Sequence, residues 1–179
     1  MNVINYKLFV ALLVLISLTG CAKKNVTVAD DYVDSGIMDA KDMAFVQTIE
    51  GKMKKQIPLT DSDVDTAVGI VKKKSPVESE IHQKRKALMM TAAFVGKKKV
   101  TPEQRAKLKA MMAPYVSDEK VVSEAVRVTA SFRDREALAD IRQMAAQENI
   151  GEKNRAYALK TADKLERILN GEKIETSTW

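Results

Sequence analysis

The chain has 179 residues, of which 45% are hydrophobic, 30% charged and 5% aromatic, and its formal net charge is +6. This length suffices for one domain with a substantial core, and the low aromatic content is typical of helical proteins built on Leu, Met, Ala and Val. A single cysteine excludes a disulfide framework, and one cysteine with one histidine cannot supply the four Cys or His ligands of a structural zinc site.

The first twenty residues have the two parts of a secretory signal. Residues 1–7 carry one basic side chain, Lys7, and residues 8–18 are almost wholly apolar. A helix over residues 8–18 rises only about 17 Å, well short of the roughly 30 Å of hydrocarbon that a spanning helix must cross. The sequence therefore predicts a signal peptide over residues 1–20 and disfavours a transmembrane helix.

Leu18-Thr19-Gly20-Cys21 closes the apolar run and resembles the lipobox of bacterial lipoproteins. The resemblance implies cleavage between Gly20 and Cys21 and a diacylglyceryl group on the Cys21 sulfur, often with a third acyl chain on the new amino terminus. Two or three acyl chains make a stable membrane anchor, whereas one chain holds only marginally. In this family's sorting pattern, Ala22 favours the periplasmic face of the outer membrane if the host is Gram-negative. The alternative is an ordinary secretory signal with an incidental cysteine.

The remaining residues divide by their periodicity into three parts. Residues 21–36 contain the predicted lipidated cysteine and a polar stretch without a sustained period, which predicts a flexible tether. Residues 37–170 show helical spacing and predict one helical domain. Residues 171–179 are predicted to form a loose C-terminal tail.

Seven helices are predicted in the helical domain from start and stop signals. The signals are N-cap residues, capping boxes, prolines and a terminal Asn-Gly pair. The predicted helices run from Ile37 to Gln56, from Thr60 or Asp61 to Lys72-Lys73-Lys74, from Ser75 to about Gly96, from Thr101 to Pro114, from Asp118 to about Phe132, from Asp134 onward, and from Gly151 to Asn170-Gly171. The predicted inward faces are Met43, Val46, Ile49 and Met53; Val64, Ala67, Val68 and Val71; Ile81, Leu88, Ala92 and Val95; Leu108, Met111, Met112 and Tyr115; Val121, Val122, Ala125 and Val128 or Thr129; Leu138, Ile141, Met144 and Ala145; and Ala158, Leu159, Ala162, Leu165, Ile168 and Leu169.

The last six helix starts pair up at similar distances. Two helices of similar length joined by a short turn form an αα-hairpin, and three hairpins in succession can stack into a short solenoid. The sequence therefore predicts an all-α fold and leaves open stacked hairpins or a compact bundle. The paired caps are Thr60 with Ser75, Thr101 with Ser117, and Asp134 with Gly151.

Residues 101–169 also resemble degenerate HEAT-type helical repeats, which are defined by apolar spacing within pairs of helices. The stretch Arg155-Ala156-Tyr157-Ala158-Leu159, continued through Leu165 and Ile168, is similar to the second helix of such a unit. The resemblance implies the stacked alternative.

The alternating carboxylates Asp61, Asp63 and Asp65 match the beginning of an EF-hand calcium loop. That loop also needs glycine at its sixth place and glutamate at its twelfth, where this chain has Thr66 and Lys72. The three acids are better explained as residues near the start of a helix that face the positive end of its dipole.

His82, with Glu78 and Glu80 nearby, could offer two metal ligands, but no second histidine or free cysteine completes a zinc site. The chain also has no Gly-x-Ser-x-Gly and no glycine cluster for binding phosphate. We therefore predict no catalytic residue, no metal and no cofactor, and expect that the protein is not an enzyme. Catalysis by scattered carboxylates is the alternative.

Lysine clusters are concentrated in residues 52–99, which contain twelve Lys and Arg residues and five Asp and Glu residues. Because three of the four clusters fall where helices end, interaction with helix dipoles explains them without a ligand. The functional alternative is a basic patch at one end of the molecule, since alternate antiparallel helices end on the same side. That patch would comprise Lys54, Lys55, Lys97, Lys98 and Lys99, and would bind an anionic lipid, a glycan or an acidic protein surface. Nucleic acid is not expected.

Together these features predict a membrane-anchored envelope lipoprotein that binds a periplasmic or outer-membrane protein as an assembly adaptor. One alternative is a pilotin-like chaperone for an outer-membrane channel. Another is a surface lipoprotein that binds polyanions or anionic lipids through the basic patch.

Overall fold

A computed structural model describes residues 36–76, 78–95 and 100–174. The prediction of an all-α fold is confirmed, since the described residues form seven α-helices and no strand. The helices are α1 Ala40–Lys54, α2 Asp61–Lys72, α3 Glu80–Phe94, α4 Pro102–Met112, α5 Val122–Ala130, α6 Arg135–Ala145 and α7 Gly151–Leu169. Two 3₁₀ helices, Ala113–Tyr115 and Glu148–Ile150, follow α4 and precede α7.

Three predicted helix starts are confirmed by their hydrogen bonds. At the start of α2, the Asp63 N–H donates to Thr60 Oγ1 at 3.2 Å, and the Thr60 N–H donates to the Asp63 carboxylate at 2.8 Å. This reciprocal pair is a capping box. The same two bonds join Thr101 and Gln104 at the start of α4, each at 3.2 Å. At the start of α6, Asp134 accepts a backbone N–H bond at 2.8 Å.

Helix α3 begins one turn later than the predicted start at Ser75. Its N-cap is Ser79, whose hydroxyl accepts the His82 N–H at 3.3 Å. Glu78 does accept the Ser75 N–H at 3.2 Å, but its carboxylate also holds the Lys86 ammonium at 2.9 Å. The Glu78 N–H then donates to the Ser75 C=O at 3.0 Å, a bond that closes a separate turn ahead of the helix.

Helix α5 begins at Val122, four residues after the predicted start at Asp118. The Asp118 carboxylate accepts the N–H of Lys120, two residues on, at 2.8 Å, and it also pairs with Lys84 of α3. Because the regular helix begins only at Val122, this bond closes an Asx turn ahead of the helix and does not cap it. The Asp118 C=O accepts the Val122 N–H at 2.8 Å, and the helix follows this turn.

Helix α1 is shorter than predicted at both ends. Asp39 caps its start, because its carboxylate accepts the Asp42 N–H at 2.8 Å. Its end is a Schellman motif. The Gln56 N–H donates to the Met53 C=O at 3.1 Å, and the Ile57 N–H donates to the Lys52 C=O at 2.8 Å. Gln56 has a φ of 58°, in the left-handed region that favours glycine.

Helices α2, α4 and α6 run in the same direction and form one layer. The Gln104 side-chain amide of α4 donates to the Leu59 C=O and to Asp61 Oδ1, both at 3.1 Å, which joins the starts of α4 and α2. The Arg105 guanidinium binds Asp134, the N-cap of α6, which joins the starts of α4 and α6.

Helices α1, α3, α5 and α7 run in the opposite direction and form a second layer. Asp39, at the start of α1, pairs at 3.5 Å with Lys73, at the end of α2. Lys84 near the start of α3 binds Asp118 in the turn before α5. The Asn154 amide near the start of α7 donates at 2.9 Å to the Glu119 C=O, in the turn before α5.

The major helix packings in the described part of the chain join helices one or two places apart in sequence. Within the second layer, α1 packs on α3, α3 on α5 and α5 on α7; within the first, α2 packs on α4. Packing that stays between near neighbours is the pattern of stacked hairpins. The described helices are therefore consistent with stacked hairpins and with a helical bundle, and the predicted hairpin of α4 and α5 is not among the major packings.

The core consists of two buried clusters that meet at α3. One lies among α1 to α4 and includes Met89 and Met90, and the other lies among α3 to α7 and includes Leu88. Seven of the fifteen α3 residues are buried, so this helix has no single inward face. The narrow stripe predicted for α3 therefore missed Met89, Met90 and Phe94.

The predicted inward position of Leu159 is wrong, because its side chain is 49% exposed. Helix α7 turns Ala158, Ala162 and Leu165 toward the core, at spacings of four and three residues. Leu159 lies one residue beyond this stripe, roughly 100° around the helix, and faces outward.

Candidate functional site

The predicted lipidation site and part of the predicted basic patch lie outside the described residues. These are Gly20 and Cys21 at the lipobox, and Lys97, Lys98 and Lys99 of the patch. Lys54 and Lys55 are exposed at the end of α1, and α1 runs parallel to α3, as the patch requires. The basic patch therefore stays a prediction. None of the helices in the described ranges is both long enough and apolar enough to cross a bilayer.

The three alternating carboxylates of α2 contact three different groups on neighbouring elements. Asp61 accepts the Gln104 amide, Asp63 binds the Lys52 ammonium at 2.7 Å, and Asp65 binds the Lys107 ammonium at 2.6 Å. Asp61 and Asp63 lie in the first turn, where the sequence placed them. The three carboxylates therefore hold α1 and α4 against α2.

The environment of Asp63 lowers its pKa. Burial acts to raise that pKa, but hydrogen bonds from Lys52 and from the Thr60 backbone and hydroxyl outweigh it. In the described residues, no group of three or more His, Cys, Asp and Glu side chains is arranged to hold a metal ion. The backbone N–H of His82 donates to Ser79 as part of the α3 cap.

A cleft of about 450 Å³ lies between α2 and α4, and we call it the α2–α4 cleft. Its α2 wall includes Val68 and Val71, its α4 wall includes Met111, and Tyr115 lies at the end of α4. Gln83 of α3 also lines it, held by a bond from its side-chain amide to the Val71 C=O. This volume and mainly apolar lining are typical of ligand-binding clefts in proteins, which span roughly 300 to 1,000 Å³.

Charged groups border the α2–α4 cleft. The ion pair between Asp65 of α2 and Lys107 of α4 joins the two walls, and its hydrogen bond raises the pKa of Lys107. Lys72 also lines the cleft and is exposed, and the exposed Lys73 and Lys74 follow it. This border is therefore predominantly basic.

A second cleft, of about 270 Å³, lies on the other side of α4, and we call it the α4–α6 cleft. Its apolar lining comprises Met112, Ala113, Val116, Phe132 and Met144. Between the two clefts, three exposed alanines lie at helical spacing along α4 and the 3₁₀ helix that follows it. These are Ala106, Ala110 and Ala113.

Arg105 sets the position of α4 relative to α6. Its guanidinium makes two bonds to Asp134, lies 3.2 Å from Glu136, and stacks 4.3 Å above the centroid of the Phe132 ring. Burial acts to lower the pKa of Arg105, but the bonds to Asp134 raise it on balance. A planar guanidinium suits both the paired bonds and the stacking, which a lysine would not reproduce.

Sequence reasoning missed both clefts, because each combines residues from helices that are distant along the chain. Val68 and Met111 carried only an inward-facing prediction, and both are partly exposed as cleft walls. One signal was available. The Ala106, Ala110 and Ala113 spacing in an otherwise charged helix marks a face with little side-chain bulk.

The chain matches no protein-family model, no curated protein and no solved structure.

Proposed function

We propose that the protein is an envelope lipoprotein, anchored through Cys21, that binds a segment of another envelope protein in the α2–α4 cleft. The lipobox at Leu18-Thr19-Gly20-Cys21 supports the anchor. The observation that carries the binding role is the mainly apolar cleft of about 450 Å³ between α2 and α4. Clefts between packed helices are common binding sites in proteins.

The partner segment is an amphipathic helix with apolar side chains on one face and acidic residues beside them. Valine and methionine walls suit the apolar anchors of such a helix, and methionine adapts readily to different shapes. The basic border at Lys72 to Lys74 complements acidic residues. The exposed alanines of α4 let a partner backbone come close beside the cleft.

The anchor is tested by replacing Cys21 with serine and fractionating the cells. The wild-type protein should sediment with membranes and carry acyl groups on its mature amino terminus, whereas Cys21→Ser should carry none and leave the membrane fraction. Full sedimentation of the Cys21→Ser variant with membranes would contradict the anchor.

The binding role is tested by isolating the acylated wild-type protein and two matched variants from native membranes. Met111→Glu places a charge in the cleft wall, whereas Leu159→Glu places one at an exposed apolar position on α7. The wild type and Leu159→Glu should retain one stoichiometric protein partner, and Met111→Glu should lose it. No stoichiometric partner, or equal recovery with both variants, would count against the proposal.

A basic surface is the second candidate function, and the exposed Lys54 and Lys55 favour it. If the patch with Lys97 to Lys99 exists, glutamine at all five positions should weaken binding to vesicles containing anionic lipid. The loss should be largest at low ionic strength, because screening removes interactions between exposed charges. Equal binding by the wild type and the variant would dispose of the patch.

A further inference from the structure

The α4–α6 cleft combines apolar walls with buried polar atoms that lack partners. Thr129 of α5 lines it and is only 1% exposed, and its hydroxyl has no hydrogen-bond partner in the described part of the protein. Gln147, after α6, also lines the cleft, and its side-chain oxygen is buried without a described partner. Buried polar groups in native proteins are nearly always hydrogen-bonded, so two unpaired ones in a single cleft indicate a ligand that completes them.

The chemistry of these two atoms restricts the ligand. An amide oxygen only accepts hydrogen bonds, and a hydroxyl both donates and accepts. The ligand must therefore offer at least one N–H or O–H donor.

The charged groups at the cleft are already paired with each other. Lys109 lies 2.8 Å from Asp140 and 2.6 Å from Glu136. Burial acts to lower the pKa of Lys109, but its bonds to Asp140 and Glu136 raise it on balance. Since no charge in the cleft is left for a ligand to neutralise, the ligand is uncharged.

The walls favour an aromatic ring. Met112 and Met144 place two thioether sulfurs at the cleft, and Phe132 adds a ring. Methionine sulfur makes favourable contacts with aromatic rings, and rings pack on one another edge to face or offset. An uncharged ring with one donor fits both the walls and the unpaired acceptors.

We propose that the α4–α6 cleft binds an uncharged aromatic group with an N–H donor, as in an indole side chain, through Thr129 and Gln147. This site is separate from the α2–α4 cleft, so either can fail without the other. The ring packs between the methionines, and its N–H donates to the Gln147 oxygen or the Thr129 hydroxyl.

The probe is indole, compared with indene, which has nearly the same shape but no donor. Binding to the full-length chain is followed through the methyl NMR signals of its methionines. Indole should shift Met112 and Met144, with Met111 of the other cleft as the internal reference. Because one hydrogen bond contributes about 0.5–1.5 kcal/mol net, indene should bind about three- to tenfold more weakly.

Two variants separate a binding role from a structural one. Whichever of Thr129→Val and Gln147→Met removes the acceptor of the indole N–H should weaken indole binding about three- to tenfold, and both should leave indene binding unchanged. The control is Thr161→Val, since the Thr161 hydroxyl donates at 2.8 Å to the Tyr157 C=O in α7. Thr129→Val should raise the melting temperature, because it removes an unpaired buried hydroxyl, whereas Thr161→Val should lower it. Equal affinities for indole and indene, unchanged indole affinity in both cleft variants, or shifts confined to Met111 would each overturn the proposal.

Discussion

The buried ion pair between Glu78 and Lys86 offers a test of how Lys73 and Glu78, which lie between α2 and α3, are held against α3. The two side chains are only 6% and 5% exposed. The Lys86 ammonium lies 2.9 Å from Glu78 Oε1 and donates to the Lys73 C=O at 3.0 Å. Burial and the neighbouring Asp39 raise the pKa of Asp42 in α1 on balance, and Lys73 and Lys86 oppose that rise.

We expect Lys86→Met to destabilise the protein by about 3–5 kcal/mol, because the Glu78 carboxylate would stay buried without its cation. A domain of this size is stable by roughly 5–15 kcal/mol, so this loss is a large fraction of the total. Glu78→Gln leaves Lys86 without its carboxylate and should destabilise the fold by a similar amount. In the double variant no uncompensated charge remains, and it should be more stable than either single variant.

The measurement is urea unfolding of the four proteins, followed by far-ultraviolet circular dichroism at one pH. The four free energies form a double-mutant cycle, which isolates the coupling between the two side chains. The burial and pairing of Glu78 and Lys86 would be refuted if each single variant lowered the free energy of unfolding by less than about 1 kcal/mol. They would also be refuted if the double variant lowered it by the sum of the two single losses.

Three further predictions test other parts of the fold. Gln56→Gly should raise the free energy of unfolding by about 1 kcal/mol because Gln56 has a positive φ, and Gly171→Ala, at a φ of 91°, should lower it by a similar amount. A Gln56→Gly variant less stable than the wild type to urea, or a Gly171→Ala variant more stable, would contradict the left-handed conformation at that position. Arg105→Lys should destabilise by about 1–3 kcal/mol in the same assay, through loss of the paired bonds to Asp134 and the stacking on Phe132; an unchanged midpoint would contradict the role of Arg105 between α4 and α6. Folding lowers the pKa of Asp63, so the stability that its carboxylate contributes is fully present above its unfolded pKa of about 3.9 and is lost as the pH falls through the lower folded pKa. The unfolding free energy of Asp63→Asn should therefore fall less steeply than that of the wild type below about pH 5. Equal slopes would contradict the lowered pKa of Asp63.

The helix starts that sequence reasoning placed correctly are those fixed by bonds within a few residues. Thr60 and Asp63, and likewise Thr101 and Gln104, satisfy each other across three residues, so the pattern alone predicts the cap. The cap predicted at Gly151 is one residue off, since Gly151 is the first residue of α7 and Ile150 is its N-cap.

The two displaced starts have a different physical cause. Ser75 and Asp118 carry equally good local signals, but each closes a turn ahead of its helix: the Glu78 N–H donates to the Ser75 C=O, and the Asp118 carboxylate accepts the Lys120 N–H. Lys86 holds the carboxylate of Glu78, and Lys84 holds that of Asp118. These contacts exist only after the helices pack, and the Lys84-Arg85-Lys86 run gave no sign that Lys86 would be buried.

The clefts were beyond sequence reasoning for the same reason. Val68 and Met111 are apolar residues at helical spacing, and their positions as cleft walls depend on the separation of α2 and α4. Thr129 was predicted to face inward and does so, but its unpaired hydroxyl follows from the absence of a nearby acceptor or donor in the described fold.

The most direct test of partner binding in the α2–α4 cleft places a photo-crosslinking amino acid at position 111 of the full-length protein in its native cells, with position 159 as the control. We expect an adduct with a single envelope protein from position 111 and none from 159. Val68→Lys, on the opposite wall of the α2–α4 cleft, should abolish that adduct. No adduct at position 111, the same adducts at both positions, or an adduct that survives Val68→Lys would contradict partner binding in this cleft.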